Sequence, residues 1–226
     1  MKGLIFMIKS IFQKYKHAFL LLYGFVYFPW FLYNEKISLE KYHIIYVPID
    51  DKIPFIDFFI LPYLLWFVYV AGTMAYFFFK DVKGFYKLCF FLFSGMTLFL
   101  IISTIYPNGQ NLRPSEFANE NIFTMLIQKV YTADGPVNIF PSIHTYNSIG
   151  AHIAIARNET LKKYKGLQIG SFILMISIVC STVFIKQHSI LDLIASIVLS
   201  IVVYQIVYGN ALDFLRVKST REPDRV

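Results

Sequence analysis

The stretch Ser142–Ala156, SIHTYNSIGAHIAIA, decides the fold, because its assignment fixes how many times the chain crosses a bilayer. Most of it is apolar, but it carries His, Asn and Ser side chains, so its hydropathy alone is weak. Polar groups inside a membrane must find partners within the protein. We therefore expect a helix that is sheltered inside a bundle of other helices.

Five stronger apolar runs surround this stretch. The chain has 226 residues, of which 57% are hydrophobic and only 15% are charged, with a mean hydropathy of +0.56. Soluble domains are far less apolar, and a spanning helix needs about 20 apolar residues. The composition therefore predicts an all-α, polytopic membrane protein. The runs cover residues 18–33, 53–79, 85–105, 167–185 and 190–208.

The distribution of cations predicts the orientation. If the N-terminus is cytoplasmic and the chain has six spans, 15 of the 21 Lys and Arg residues lie on the inner side, as the positive-inside rule requires. The other six are Lys36, Lys41, Lys52, Arg113, Lys129 and Lys186. Without the Ser142–Ala156 span this bias is lost. The sequence thus predicts a six-transmembrane-helix bundle with both termini cytoplasmic, in the plasma membrane.

Three regions follow from this layout. Residues 1–16 are expected to form a basic amphipathic lead-in at the inner surface. Residues 17–208 form the six-helix membrane domain, and residues 209–226 form a cytoplasmic tail. The net charge of +7 suits basic loops that face anionic membrane lipids, so no nucleic-acid partner is expected.

One candidate catalytic pair lies where the fifth span meets the sixth. His188 and Asp192 are four positions apart at the start of a predicted helix, which places them on one face. A carboxylate bonded to one ring nitrogen fixes the tautomer and makes the other nitrogen more basic. The spacing is common, so the alternative is an ordinary polar pair at the membrane interface.

Two further features lie on the same predicted side. His144 follows Pro141 and Ser142 at a helix start, where free backbone N–H groups and the helix dipole favour an anion. The alternative is a capped helix with an incidental histidine. Arg113 lies in the long loop 106–141, and its guanidinium matches phosphate oxygens. Alone, it is more typical of a headgroup-binding surface arginine.

Together these residues indicate attack on a phosphate ester or anhydride. One histidine is the nucleophile, a second donates a proton, and Arg113, with Lys186 as a further candidate, neutralises the phosphate charge. No metal and no cofactor are expected for this chemistry.

Other polar residues receive structural interpretations. Asp50 and Asp51 are interpreted as a solvated acidic pair in a loop, and His152 as a satisfied bundle residue. Asp134 is the only hint of the metal-binding acidic cluster that a CDP-alcohol phosphotransferase needs, so that class is not favoured.

Three short motifs occur in order between Tyr106 and Asp192. They resemble the signature K-x6-R-P, P-S-G-H and S-R-x5-H-x3-D of the type 2 phosphatidic acid phosphatase superfamily. The matching residues are Arg113-Pro114, then Pro141-Ser142-Ile143-His144, then Ser181, His188 and Asp192. The spacing within the third motif is the same as in the family.

The resemblance implies a role for each matching position. His188 would form a phosphohistidine and Asp192 would orient it. His144 would protonate the departing lipid alcohol and then activate water. Arg113 and Ser142 would bind the phosphate. Ser181 and Lys186 are added as phosphate-binding candidates.

The chain departs from the family at three positions. Tyr106 stands where the family has Lys, Ile143 where it has Gly, and Thr182 where it has Arg. Lys186 is expected to replace one of the two missing cations. Weakened cation sets also resemble the inositol phosphorylceramide synthase branch, which passes a phosphoryl headgroup to an alcohol.

The expected function is a metal-independent lipid phosphatase with its site on the extracytoplasmic side. Expected substrates are phosphatidic acid, phosphatidylglycerol phosphate or a polyprenyl diphosphate. One alternative is a lipid phosphotransferase that uses the same intermediate. A second is a non-catalytic lipid-binding or transport protein that retains the fold.

Overall fold

The computed structural model describes residues 13–38 and 41–209. Residues 1–12 of the predicted lead-in and residues 210–226 of the predicted tail lie outside the described residues.

The described chain is built mainly from helices, and seven α-helices are labelled in chain order. They are α1 (Gly24–Ser38), α2 (Ile60–Lys80), α3 (Val82–Ile105), α4 (Ile122–Ala133), α5 (Ile143–Arg157), α6 (Lys165–Phe184) and α7 (Ile190–Val207). A 3₁₀ helix occupies Lys16–Tyr23, and short 3₁₀ turns occupy Asp50–Lys52, Asp57–Phe59 and Leu161–Lys163.

Four helical segments are long and apolar enough to cross a membrane. They are Asp57–Lys80, Val82–Ile105, Lys165–Phe184 and Ile190–Val207. Their outer sides carry exposed apolar residues such as Phe67, Ile173 and Ile201. The all-α membrane class predicted from composition is supported by these four helices.

The first apolar run is less regular than the other four. Its Lys16–Tyr23 half is a 3₁₀ helix, and α1 follows with Pro29 inside it. Asn34 of α1 donates to the Leu100 carbonyl at 3.0 Å, and the Trp30 indole N–H donates to the Thr104 hydroxyl at 2.9 Å. Polar bonds of this kind attach α1 to α3.

Helix α5 confirms the helix predicted for Ser142–Ala156, and it is the central element of the bundle. It contacts α2, α3, α6 and α7. Two glycines let α3 and α5 approach closely: a Cβ atom at Gly95 would lie 2.1 Å from the Tyr146 ring, and one at Gly150 would lie 2.6 Å from the Phe91 ring. The Tyr146 hydroxyl donates to the Phe91 carbonyl at 2.7 Å. The weakly apolar helix is thus surrounded by other helices.

The two ends of the bundle differ in chemistry. At the end where α5 and α7 begin, which we call the histidine end, the connections are long and include α4 and a two-residue parallel ladder of β1 (His43–Ile44) with β2 (Asn108–Gly109). At the opposite end, which we call the basic end, α2 meets α3 through one residue and α5 meets α6 through a short lysine-rich loop.

Candidate active site

His188 and Asp192 form a buried pair at the start of α7. His188 Nδ1 lies 3.1 Å from Asp192 Oδ2, and the two residues are 7% and 0% exposed. This contact confirms that the four-residue spacing places both side chains together. With its Nδ1–H donated to the carboxylate, the imidazole keeps a lone pair on Nε2.

The local backbone explains why the pair meets. Ser189 is the N-cap of α7: its hydroxyl accepts the Leu191 N–H at 3.2 Å, and its own N–H donates to Asp192 Oδ2 at 2.9 Å. The N–H groups of Gln187 and His188 both donate to the Thr182 carbonyl at the end of α6, at 2.9 and 3.0 Å. The α6–α7 turn is therefore fixed at both ends by hydrogen bonds.

A second carboxylate, that of Asp50, supports the same turn. It belongs to the connection between α1 and α2, which we call the first loop. Asp50 is 1% exposed, its Oδ2 accepts the Ser189 hydroxyl at 2.7 Å, and its Oδ1 accepts the Ile190 N–H at 2.9 Å. The interpretation of Asp50 as a solvated loop residue is therefore wrong, because it caps α7 from a distance of 139 residues along the chain. Asp51 beside it is exposed, as expected, and accepts from the Tyr46 hydroxyl at 2.5 Å.

His144 faces the pair from the first turn of α5. Its ring centroid lies 5.8 Å from that of His188. On its other sides it contacts two aromatic rings of α2, Tyr63 at 4.6 Å and Trp66 at 4.4 Å. The aromatic rings fix the position of the imidazole. Sequence patterns did not identify them, because an aromatic in an apolar helix gives no separate signal.

The two histidines line one small cavity of about 40 Å³. Its polar lining is completed by Asp134, Asn138 and Gln187, and its apolar lining includes Phe99 and Ile143. Within the described chain, no Lys or Arg side chain lines this cavity. The predicted catalytic residues are therefore brought together, whereas the predicted cations are not.

Arg113 lies next to the cavity but is used to hold the loop that follows α4. Its guanidinium donates to the carbonyls of Asp134 and Gly135 at 2.8 and 2.9 Å, and also to the Gln187 side-chain oxygen. It also stacks over the Tyr131 ring, with Cζ 4.3 Å from the centroid. Burial lowers the pKa of Arg113, and the nearby Asp134 opposes this. Arg113 thus positions Gln187, the neighbour of His188.

Lys186 points away from the cavity. Its backbone has a positive φ of 54°, and its ammonium donates to the carbonyls of Asp50 and Ile53 at 2.8 and 2.6 Å. Burial lowers the pKa of this ammonium, while the charges of Asp50 and Asp51 oppose the change. Lys186 was expected to lie beside the phosphate as a cation. In the structure its ammonium instead holds the α6–α7 turn against the first loop.

The two serines predicted to bind phosphate, Ser142 and Ser181, use their hydroxyl groups in hydrogen bonds within the protein. Ser142 is the N-cap of α5, where its hydroxyl accepts the Thr145 N–H at 3.3 Å. Ser181 is fully buried and donates to the Ile178 carbonyl at 2.6 Å. Neither lines the cavity of the two histidines. Ser142 still links the site, since its N–H donates to the Asp192 carbonyl at 3.3 Å.

Asp134 is the unexpected member of the site. Burial raises the pKa of its carboxyl group, and His188 and Arg113 oppose this increase. The sequence ADGP carried no catalytic signal, because turn residues such as Asp-Gly-Pro are common in loops. His152 behaves as expected for a satisfied bundle residue, with its Nδ1 3.0 Å from the Ser171 hydroxyl.

Comparison with known proteins gives no match: no family model, no curated protein and no solved structure is similar to the chain at a significant level. The geometry of the site therefore carries the functional argument together with the motifs.

Proposed function

We propose that the protein is a membrane lipid phosphatase that works through a phosphohistidine on His188. One observation carries this proposal: His188, which is bonded to buried Asp192, lines a cavity together with a second histidine whose ring lies 5.8 Å away. His188 and Asp192 correspond to the nucleophile and its orienting acid in the superfamily that the motifs resemble.

The reaction would have two balanced steps. In the first, His188 Nε2 attacks phosphorus, the bond from phosphorus to the lipid oxygen breaks, and His144 protonates that oxygen. In the second, His144 takes a proton from water, the water oxygen attacks phosphorus, and the bond from nitrogen to phosphorus breaks. Neither step needs a metal to create the nucleophile, so the proposed enzyme is metal-independent.

The proposed placement in the membrane rests on charge. The helices α2, α3, α6 and α7 are long enough to span, and α1 with its preceding turn and the sheltered α5 would supply two further spans. Six spans would put the basic end, with both termini, on the cytoplasmic side of the plasma membrane. The histidine end would then face the extracytoplasmic side, where it would meet lipid phosphates of the outer leaflet.

A second candidate function is favoured by Asp134. An acidic side chain in the cavity that both histidines line, with no Lys or Arg in the described lining, disfavours a doubly charged phosphate monoester. A phosphodiester carries less charge, and its phosphoryl headgroup could pass from His188 to an alcohol instead of water. This is the lipid phosphotransferase alternative, with the same first step.

The test is phosphate release from a panel of lipids in detergent containing EDTA. The panel holds phosphatidic acid, phosphatidylglycerol phosphate and a polyprenyl diphosphate. Wild type is compared with His188→Ala and with His43→Ala, a matched control because His43 is an exposed histidine in β1 at the same end. We expect release that survives EDTA, persists in His43→Ala and is lost in His188→Ala.

Two other outcomes change the conclusion. Release that continues in folded His188→Ala protein would rule out the phosphohistidine. If folded wild-type protein releases no phosphate, hydrolysis is rejected, and the panel is repeated with phosphodiester donors and alcohol acceptors. Product that depends on both the alcohol and His188 would then establish the phosphotransferase.

A further inference from the structure

The basic end carries a second cavity that the proposed reaction does not use. It has a volume of about 440 Å³ and lies where α2 meets α3 and where α5 ends. Helix α2 joins the two cavities: Tyr63 contacts His144 at one end and Lys80 lines the second cavity at the other. At 1.5 Å per residue these two residues are about 26 Å apart, so the cavities are separate.

Four cations surround this cavity, which we call the basic depression. They come from three helices: Lys80 from α2, Lys83 and Lys87 from α3, and Arg157 from α5. All four side chains are exposed. Lys87 lies over the Tyr208 ring at 5.3 Å, so the far wall is aromatic.

The two acidic residues that line the depression, Asp81 and Glu159, have partners other than the four cations. Asp81 accepts the Gly84 N–H at 2.9 Å and the Asn158 amide at 2.9 Å. Glu159 pairs with Lys162 at 2.5 Å. Among residues 13–38 and 41–209, none of the four cations lies within salt-bridge distance of a carboxylate. The depression therefore has positive charge that the described protein does not neutralise.

The surroundings indicate which anion fits. Exposed apolar side chains neighbour the cations along α2 and α3: Phe79 precedes Lys80 and is 65% exposed, and Phe90 lies about one turn from Lys87 and is 56% exposed. An exposed apolar helix face next to a cationic depression suits a molecule with hydrocarbon chains and an anionic head. The C-terminal segment 210–226 is a poor ligand for the cationic depression, because its four basic residues outnumber its three acidic residues.

We infer that the basic depression binds the headgroup of an anionic phospholipid, with the acyl chains along the outer surface of α2 and α3. The phosphate would lie among Lys80, Lys83, Lys87 and Arg157. This site is independent of the proposed phosphatase, because it needs neither histidine and lies at the other end of the bundle.

The probe is dioleoylphosphatidylglycerol, with dioleoylphosphatidylcholine as the zwitterionic reference of equal chain length. Bound lipid is counted by native mass spectrometry of the full chain in detergent during a titration with each lipid. The test variant is Lys80→Gln with Lys83→Gln. The matched control is Lys163→Gln with Lys165→Gln, which removes the same charge from exposed residues at the same end but outside the depression.

We expect one phosphatidylglycerol molecule to bind wild type more tightly than phosphatidylcholine. The test variant should lose affinity by about tenfold or more, since each lysine near an anionic headgroup contributes substantially. The control variant should keep its affinity, and Lys80→Arg with Lys83→Arg should restore binding. Retention by the arginine variant also shows that a loss in the glutamine variant is a charge effect.

Three results would overturn the inference. They are equal affinity of wild type for the two lipids, an equal loss in the test and control variants, and displacement of the lipid by millimolar inorganic phosphate. The last result would assign the depression to free phosphate. Because binding is read without turnover, an inactive enzyme leaves this test intact.

Discussion

The two ends of the bundle use charged side chains in opposite ways. At the histidine end, Asp50, Asp192 and Lys186 are buried and their charges are met by groups of the protein itself. At the basic end, Lys80 and Lys83 are exposed, and the carboxylates near them have other partners. Buried charges are costly unless they are paired, whereas exposed charges remain available to outside partners.

This difference shows that the burial of a charged side chain decides whether it stabilises the protein or remains available to a ligand. Internal bonds at the histidine end fix the orientation of His188, as its proposed role of nucleophile requires. At the basic end, none of the four cations of the basic depression pairs with a carboxylate among the described residues, so their charges are available to the external anion we propose. A lysine count alone would not have distinguished buried Lys186 from exposed Lys80 and Lys83.

The largest effect is expected from the buried pair itself. Asp192→Asn keeps the shape of the side chain but removes the charge that holds the His188 tautomer. The rate of phosphate release should fall by roughly 10³-fold or more. Asp51→Asn, an exposed acid at the same end, should leave the rate unchanged. A fall of less than threefold in folded Asp192→Asn protein would contradict the assigned role of the pair.

Stability should separate the two neighbouring acids of the first loop. Asp50→Ala leaves the Ser189 hydroxyl and the Ile190 N–H without their acceptor, so we expect a loss of about 2 kcal/mol in the free energy of unfolding. Asp51→Ala removes only a surface contact to Tyr46 and should change little. Thermal unfolding in one detergent measures both. Equal losses would show that Asp50 does not cap α7.

High salt should weaken lipid binding at the basic end and leave the buried contacts of the histidine end unchanged. Raising the ionic strength from about 0.1 M to about 1 M shortens the Debye length from about 10 Å to about 3 Å. Phosphatidylglycerol affinity at the basic depression should fall several-fold. The difference in unfolding temperature between wild type and Asp50→Ala should persist, because that contact is buried. If salt removed this difference, the contrast between the ends would fail.

The smallest effect concerns Asp134 and pH. Its pKa is raised in the folded protein by burial, so the folded state binds its proton more readily than the unfolded chain does. Stability from this group is present at low pH and is lost as pH rises through the folded pKa. Asp134→Asn should therefore unfold at a higher temperature than wild type at pH 7, and the gap should close below about pH 4. A gap that grows on acidification would contradict this sign.

Helix positions were predictable from the sequence, but side-chain partners were not. The run 85–105 became Val82–Ile105, and the weak stretch Ser142–Ala156 became the central helix Ile143–Arg157. Hydrophobic length is a local property, so it can be read from neighbouring residues. The amphipathic helix α4 in the long loop went unpredicted, although Asn121 and Thr124 form a capping box at its start.

In the candidate site, too, local contacts were predictable from the sequence and long-range contacts were not. His188 and Asp192 are four residues apart within one helical turn, and their contact was predictable from that spacing. Lys186 was expected beside the phosphate because it is near His188 in sequence. Its direction depends on carbonyls of Asp50 and Ile53, which are more than 130 residues away. Such long-range hydrogen bonds leave no local pattern.

The most direct test of the central proposal is to trap the covalent intermediate. Wild type and His188→Ala are mixed with the phosphate-labelled lipid found active in the panel, quenched in alkaline detergent and digested for mass spectrometry. We predict a phosphoryl group on His188 that is stable to alkali and lost in acid, and that is absent from His188→Ala. Rapid turnover by wild type with no labelled protein, or with the label on another residue, would contradict the account.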